Sequence, residues 1–282
     1  MREDEIQVLG QNAHRERSWL RKNLYILIAL MLLAAIVGAY LLYTNSNRQA
    51  VLRKVEADVE RTSGLSVQKS DLYQIETTIN GVHLHLTHVI NMDASMTTDT
   101  ASYDADNVRV MAAAAVSNGN DDIIMEGKVL ARGKKHDGFC AIVNGNISIG
   151  KTVNDDVARY CTERKGFFFR QELLLSNGEL QPSLEKGKAV RCALAKQGND
   201  VYVVITDGEE SLHDFADAMK DAGVTDAILL ADNPLLQYKQ EEVSVVHCSS
   251  TNNINSEETS YLIFKVRGDL QRWAMEEEEE LD

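Results

Sequence analysis

Residues 189–231 read AVRCALAKQGNDVYVVITDGEESLHDFADAMKDAGVTDAILLA, and this stretch decides the fold. Ala189–Lys196 and Val201–Thr206 are apolar runs set around Gly198-Asn199-Asp200, a hairpin signal. Ser211 then opens a helix, with Asp214 three positions on in a pattern like a capping box. Phe215, Met219 and Ala222 supply its apolar face, and Gly223 stands where a left-handed C-cap belongs. Ala227–Ala231 reads as the next strand. Hairpins mixed with a few helices argue for an α+β fold with a mixed, largely antiparallel sheet.

Working outward, the same signals recur. Leu72–Ile79 and Val82–Ile90 alternate around Asn80-Gly81, a favoured two-residue turn. Phe139–Val143 ends at Asn144-Gly145, and Phe167–Leu175 and Gly178–Leu180 flank Asn177-Gly178. Val108–Val116, Val243–Cys248 and Tyr261–Val266 read as strands. Ile123–Lys135 reads as a helix, although Gly127 and Gly133 weaken it. Residues 91–107 are polar without a period and read as a long loop or irregular strand. No internal repeat is visible.

The N-terminal part is of another kind. Leu24–Tyr43, LYILIALMLLAAIVGAYLLY, carries no charge and has the roughly 20 residues needed to cross a bilayer. Its apolar core is longer than that of a cleaved signal peptide, and no small-residue cleavage site follows it. Arg15, Arg17, Arg21 and Lys22 crowd its N-terminal flank, which by the positive-inside rule keeps residues 1–23 in the cytoplasm. The expected organisation is a cytoplasmic segment 1–23, an anchor 24–43, a juxtamembrane helix and linker 44–69, an extracytoplasmic domain 70–270 and an acidic, disordered tail 271–282. Within the linker, Val51, Val55 and Val59 form a narrow stripe on a short helix over 46–62.

The net charge is −14, which makes nucleic acid a poor partner. The bilayer, a phosphosugar or glycan, and a protein partner stay open. Cys140, Cys161, Cys192 and Cys248 show no C-x-x-C spacing. In an oxidising compartment they could form disulfides, while Cys140 and Cys192, inside apolar strand patterns, equally suit buried free thiols. His83, His85 and His88 sit on one strand, and His83 and His85 share a face. No third metal ligand stands near them in sequence, and a solvent-facing polar stripe opposite Val82, Leu84 and Leu86 explains the pattern. No metal site and no cofactor are assigned. The sequence contains no G-x-S-x-G, P-loop, G-x-G-x-x-G or H-E-x-x-H motif.

Polar residues do collect at strand ends: Asn144, Arg191, Asp207 and Asp232. An Arg fork suits a phosphate, and carboxylates suit acid–base work. Ordinary turn chemistry explains each of them singly.

Three blocks in order, AIVNGNISIG at 141–150, VRCALAKQGNDVYVVITDG at 190–208 and SLHDFADAMKDAGVTDAILLAD at 211–232, resemble the phosphodiester glycosidase family. The resemblance covers roughly residues 70–240. It implies hydrolysis of a sugar joined to another group through a phosphodiester. It also implies Arg191 and Asp232 as catalytic residues, with Asn144, Asp207 and Tyr238 contacting substrate in one cleft. The sequence departs from the family at the last motif. Glycines and a serine are expected after Asp232, and Asn233-Pro234-Leu235-Leu236 stand there instead. That departure implies an alternative, a domain that binds such a ligand without turning it over.

Overall fold

The computed structural model describes residues 3–60, 69–117, 119–152, 154–231, 235–240, 243–248 and 259–267. It divides into two units, residues 1–50 and 51–282. Helix α1 (Glu3–Glu60) begins in the first, where it carries the apolar run Leu24–Tyr43, exposed over nearly its whole length. This helix is long and apolar enough to span a membrane, and a signal sequence would share those properties.

The second unit is built of hairpins. β1 (Asp71–Ile79) and β2 (Val82–Ile90) pair around Asn80-Gly81. Both turn residues have positive φ, 53° and 83°, the backbone that matches the strand twist. β3 (Met92–Thr97) follows, then a 3₁₀ turn (Thr100–Asp104) and β4 (Val108–Val116). β5 (Asp121–Met125) and β6 (Lys128–Lys134) form the next hairpin, and β7 (Gly138–Val143) and β8 (Asn146–Lys151) another. Helix α2 (Asp156–Glu163) leads to β9 (Phe167–Gln171), β10 (Leu173–Ser176) and β11 (Glu179–Leu180). β12 (Cys192–Gln197), β13 (Asp200–Thr206), helix α3 (Leu212–Asp221) and β14 (Asp226–Leu229) realise the segment quoted at the outset. β15 (Leu235–Gln240), β16 (Val243–Cys248) and β17 (Thr259–Val266) complete the described strands.

These form three sheets, and every strand pair among the described residues is antiparallel. The first runs β1-β2-β13-β12-β14-β10-β11, the second β16-β15-β4-β17-β3, the third β6-β5-β9-β7-β8. The class is the expected α+β.

One expectation fails here. Ile123–Lys135 is not a helix but the β5–β6 hairpin, turned by Glu126 (φ 50°) and Gly127 (φ 76°). Of the two readings of residues 91–107, the strand holds over the first part, where Met92, Ala94 and Met96 alternate into the core and form β3. Helix α2 and strand β15 correspond to no element of the sequence reading.

One core lies where the three sheets face each other. Leu194, Val203 and Ile228 come from the first sheet, Val110, Leu236 and Phe264 from the second, and Ile142 and Phe169 from the third. The opposite face of the first sheet buries Leu84, Ala193 and Val204 against Phe215 and Met219 of α3. The third core packs Phe139 and Phe168 against α2 and against Val55 and Val59 of α1. The packed unit therefore takes in residues 51–60, which the sequence reading assigns to the linker. Lys54 donates to the Ile149 carbonyl at 2.9 Å and pairs with Asp226 at 2.7 Å, while Asp58 accepts from Ser148 at 2.7 Å.

The cysteines resolve toward buried thiols. Cys140, Cys161 and Cys192 are free and buried. Burial raises all three thiols, Cys161 and Cys192 to about 12. The side chain of Cys248 lies outside the described residues.

Helix α3 starts as its sequence suggests. The Ser211 hydroxyl accepts from the Asp214 amide at 3.0 Å and donates to the Asp214 carboxylate at 2.8 Å. Replacing Ser211 with alanine should therefore cost about 1 kcal/mol, read as a lower urea midpoint with an unchanged slope. An unchanged midpoint would show that the cap contributes nothing.

Candidate functional site

Strand β2 sits between β1 and β13, so its side chains are fixed from both sides. Alternation sends Val82, Leu84 and Leu86 to the α3 face and His83, His85, Thr87 and Val89 to the other. Residues directly opposite share a face, so Leu72 and Val201 flank Val89, Gln74 and Val203 flank Thr87, and Glu76 and Ile205 flank His85. Along this face the character changes. Leu72, Val89 and Val203 are core, Thr87 donates to Gln74 Oε1 at 3.0 Å, and the last positions bring in Glu76, His85 and His83.

At that charged end Asp207 leaves β13 beside His83, its amide 3.4 Å from the His83 carbonyl. Its carboxylate lies 3.2 Å from His83 Nε2 and in close contact with His85 Nε2. The second nitrogens are also engaged. His85 Nδ1 faces Glu76 Oε1 at 3.4 Å, and His83 Nδ1 lies 3.2 Å from the Thr77 carbonyl and 3.3 Å from Thr78 Oγ1. Tyr238 is buried on β15. Burial raises its phenol, and the Glu76 charge adds to that rise.

Arg191 enters at the same end of the first sheet but on the opposite face. Its amide donates to Thr206 Oγ1 at 2.9 Å and its carbonyl accepts from the Thr206 amide at 3.0 Å. Thr206 lies opposite Leu84, which faces α3. The guanidinium donates through Nε to the Glu210 carbonyl at 3.1 Å and through Nη2 to the Gly187 carbonyl at 2.6 Å. Three of its five N–H donors are not used in these bonds.

Asn144 lies elsewhere. It is exposed, with φ 51°, in the turn between β7 and β8. The strand that follows meets the far end of β12, where Lys196 donates to the Ile147 carbonyl at 2.9 Å. Lys196 is five residues from Arg191, about 16 Å along a strand. A cavity of about 130 Å³ at that far end is lined by Asp58, Asn146, Lys196, Asp200 and Arg267, among others, and by neither Asn144 nor Arg191. Asn144 thus stands toward the Lys196 end of β12 and Arg191 toward the other. Asp232 lies outside the described residues.

A model of the phosphodiester glycosidase family matches residues 89–231, half of the chain. The chain belongs to the phosphodiester glycosidase family. The matched segment contains Asn144, Arg191 and Asp207 and stops one residue before Asp232. The phosphodiester glycosidase domain is similar in fold to a solved structure at low identity. The catalytic domain of zebrafish N-acetylglucosamine-1-phosphodiester alpha-N-acetylglucosaminidase, auto-inhibited by its pro-peptide, is 15% identical with a TM-score of 0.50. That match covers 72% of this chain and 85% of the zebrafish chain. A hypothetical protein from Synechocystis is 10% identical with a TM-score of 0.48, over 71% of this chain and 62% of its own. No curated protein matches.

Sequence reasoning missed the convergence of His83, His85 and Asp207. The Asn80-Gly81 turn fixes the β1–β2 register and so puts Glu76 opposite His85. Nothing local indicates that β13 lies on the other side of β2.

Proposed function

We propose that the protein is a membrane-anchored phosphodiester glycosidase whose domain lies outside the cytoplasm and hydrolyses a sugar joined to another group through a phosphodiester. Family membership over residues 89–231 carries this reading. The zebrafish relative's name supplies the substrate class, a sugar-1-phosphodiester. Arg191 supports it, since two carbonyls hold its guanidinium while donors remain for phosphoryl oxygens. The basic flank Arg15, Arg17, Arg21 and Lys22 supports the orientation.

One observation favours a second reading, ligand binding without turnover. Leu236 is fully buried and Tyr238 nearly so, both within β15. Residues 236–238 thus feed core side chains into a sheet, where the family pattern has small residues that let backbone approach a ligand. The deciding experiment uses the full chain in detergent and a panel of sugar-1-phosphodiesters. Product release that saturates with substrate establishes the hydrolase. Calorimetric binding without product establishes the second reading, and neither signal defeats both.

Topology has its own expected result. The protein should resist carbonate extraction from membranes, and a reporter fused after Asp282 should be active only outside the cytoplasm. Release into the soluble fraction would identify residues 24–43 as a cleaved signal instead.

A further inference from the structure

We propose that His83, His85 and Asp207 form a binding site for one divalent first-row transition ion, with zinc the natural candidate. One potential ligand atom from each residue lies within 4.8 Å of the other two. A tetrahedral ion with bonds of about 2.0–2.1 Å needs ligand atoms roughly 3.4 Å apart, so side-chain adjustment alone closes this site.

Hydrogen-bond accounting points the same way. A neutral imidazole has one donor nitrogen and one acceptor nitrogen. In the tautomer with the proton on Nδ1, His83 donates to the Thr77 carbonyl and His85 turns its N–H toward the Glu76 carboxylate. Both Nε2 lone pairs then face Asp207, itself an acceptor. In that tautomer a divalent cation bridges the two Nε2 atoms and the Asp207 carboxylate.

The surroundings match those of metal-bound histidines, which give their other N–H to a carboxylate or a carbonyl. Two imidazoles with one carboxylate suit zinc and its neighbours, whereas calcium and magnesium prefer oxygen alone. The β1–β2–β13 ladder holds the ligands on a rigid support, because His83 and His85 lie two apart between two paired strands. The His83 and Asp207 side chains are 45% and 46% exposed, which leaves a coordination position open to water or to an anionic oxygen. Three protein ligands with one open position is the zinc arrangement that binds ligands, as opposed to a closed structural site. The proposal does not depend on the glycosidase reading.

The test uses the full chain in detergent, stripped with chelator and titrated with zinc by calorimetry, and in parallel with cobalt by visible absorption. Wild type is expected to bind one ion tightly enough to resist dilution and to give the ligand-field bands of nitrogen and oxygen coordination. H85A and D207N should abolish that event, and E76Q should weaken it by roughly 10–100-fold, as expected for a carboxylate that orients a ligand. H83A is the control for folding, because His83 is largely exposed. It must lose the ion while its thermal unfolding stays close to wild type. No stoichiometric binding by wild type overturns the proposal. So does binding that survives H83A and H85A together, which would place the ion elsewhere.

Discussion

Replacing Arg170 with leucine is expected to destabilise the domain by about 3–5 kcal/mol, the largest effect of any single side chain considered. Arg170 is 1% exposed, and so is its partner Asp122. Its Nε donates to Asp122 at 3.0 Å, and its Nη1 and Nη2 donate to the carbonyls of Thr152 and Asn154 at 2.9 and 2.8 Å. One guanidinium therefore ties β9 to β5 and to the loop entering α2. Leucine fills part of the volume but leaves a buried carboxylate uncompensated and two carbonyls without this donor. Arg132, at 3.6 Å from Asp122 and mostly exposed, is too far and too wet to take over. Urea unfolding followed by far-UV circular dichroism reads the loss. R170L paired with D122L should recover part of it, because removing both charges removes the desolvated one as well. A single-variant loss under about 1 kcal/mol would show that the pair is weakly coupled to folding.

The second large effect concerns rate. Under the proposed hydrolysis, Arg191→Met should lower kcat/KM by roughly 10²–10³-fold, the usual consequence of removing one well-placed donor to developing charge. Arg191→Lys should rescue little, since an ammonium keeps the charge but not the planar fork. The geometry also gives Arg191 a plainly structural task, holding the carbonyls of Gly187 and Glu210. The two roles separate cleanly. A staple shows as a lower unfolding midpoint with kinetics unchanged, while a phosphate contact shows in kcat/KM after the midpoint is accounted for. If the domain only binds, the same variant should weaken the calorimetric affinity, and there is no rate to lose.

Sequence carried the fold further than the site. Asn-Gly pairs at 80–81, 144–145 and 177–178 are turns because asparagine and glycine accept positive φ cheaply, so those hairpins were legible. Glu126-Gly127 makes the same turn, but a glutamate at φ 50° is uncommon, and the flanking apolar residues mimic a helical spacing. β3 was only partly legible because Met92, Ala94 and Met96 carry little β-propensity and owe their place to burial.

The site fails differently. That His83 and His85 share a face follows from the period of a strand. That Asp207 joins them depends on β2 lying beside β13, a pairing across 122 residues that no local pattern encodes. For the same reason Asn144 and Arg191, brought together by motif order alone, stand toward opposite ends of β12.

The burial of Val55 and Val59 sets where this protein can be cut. A soluble version beginning at the end of the helix, near residue 61, would strip two valines from the third core and would remove Lys54 from Asp226 and Asp58 from Lys196. A version that keeps residues 51–60 retains all of them. The same holds for any protease: cleavage ahead of Val51 would leave an intact domain, and cleavage after Glu60 would leave one with an open seam.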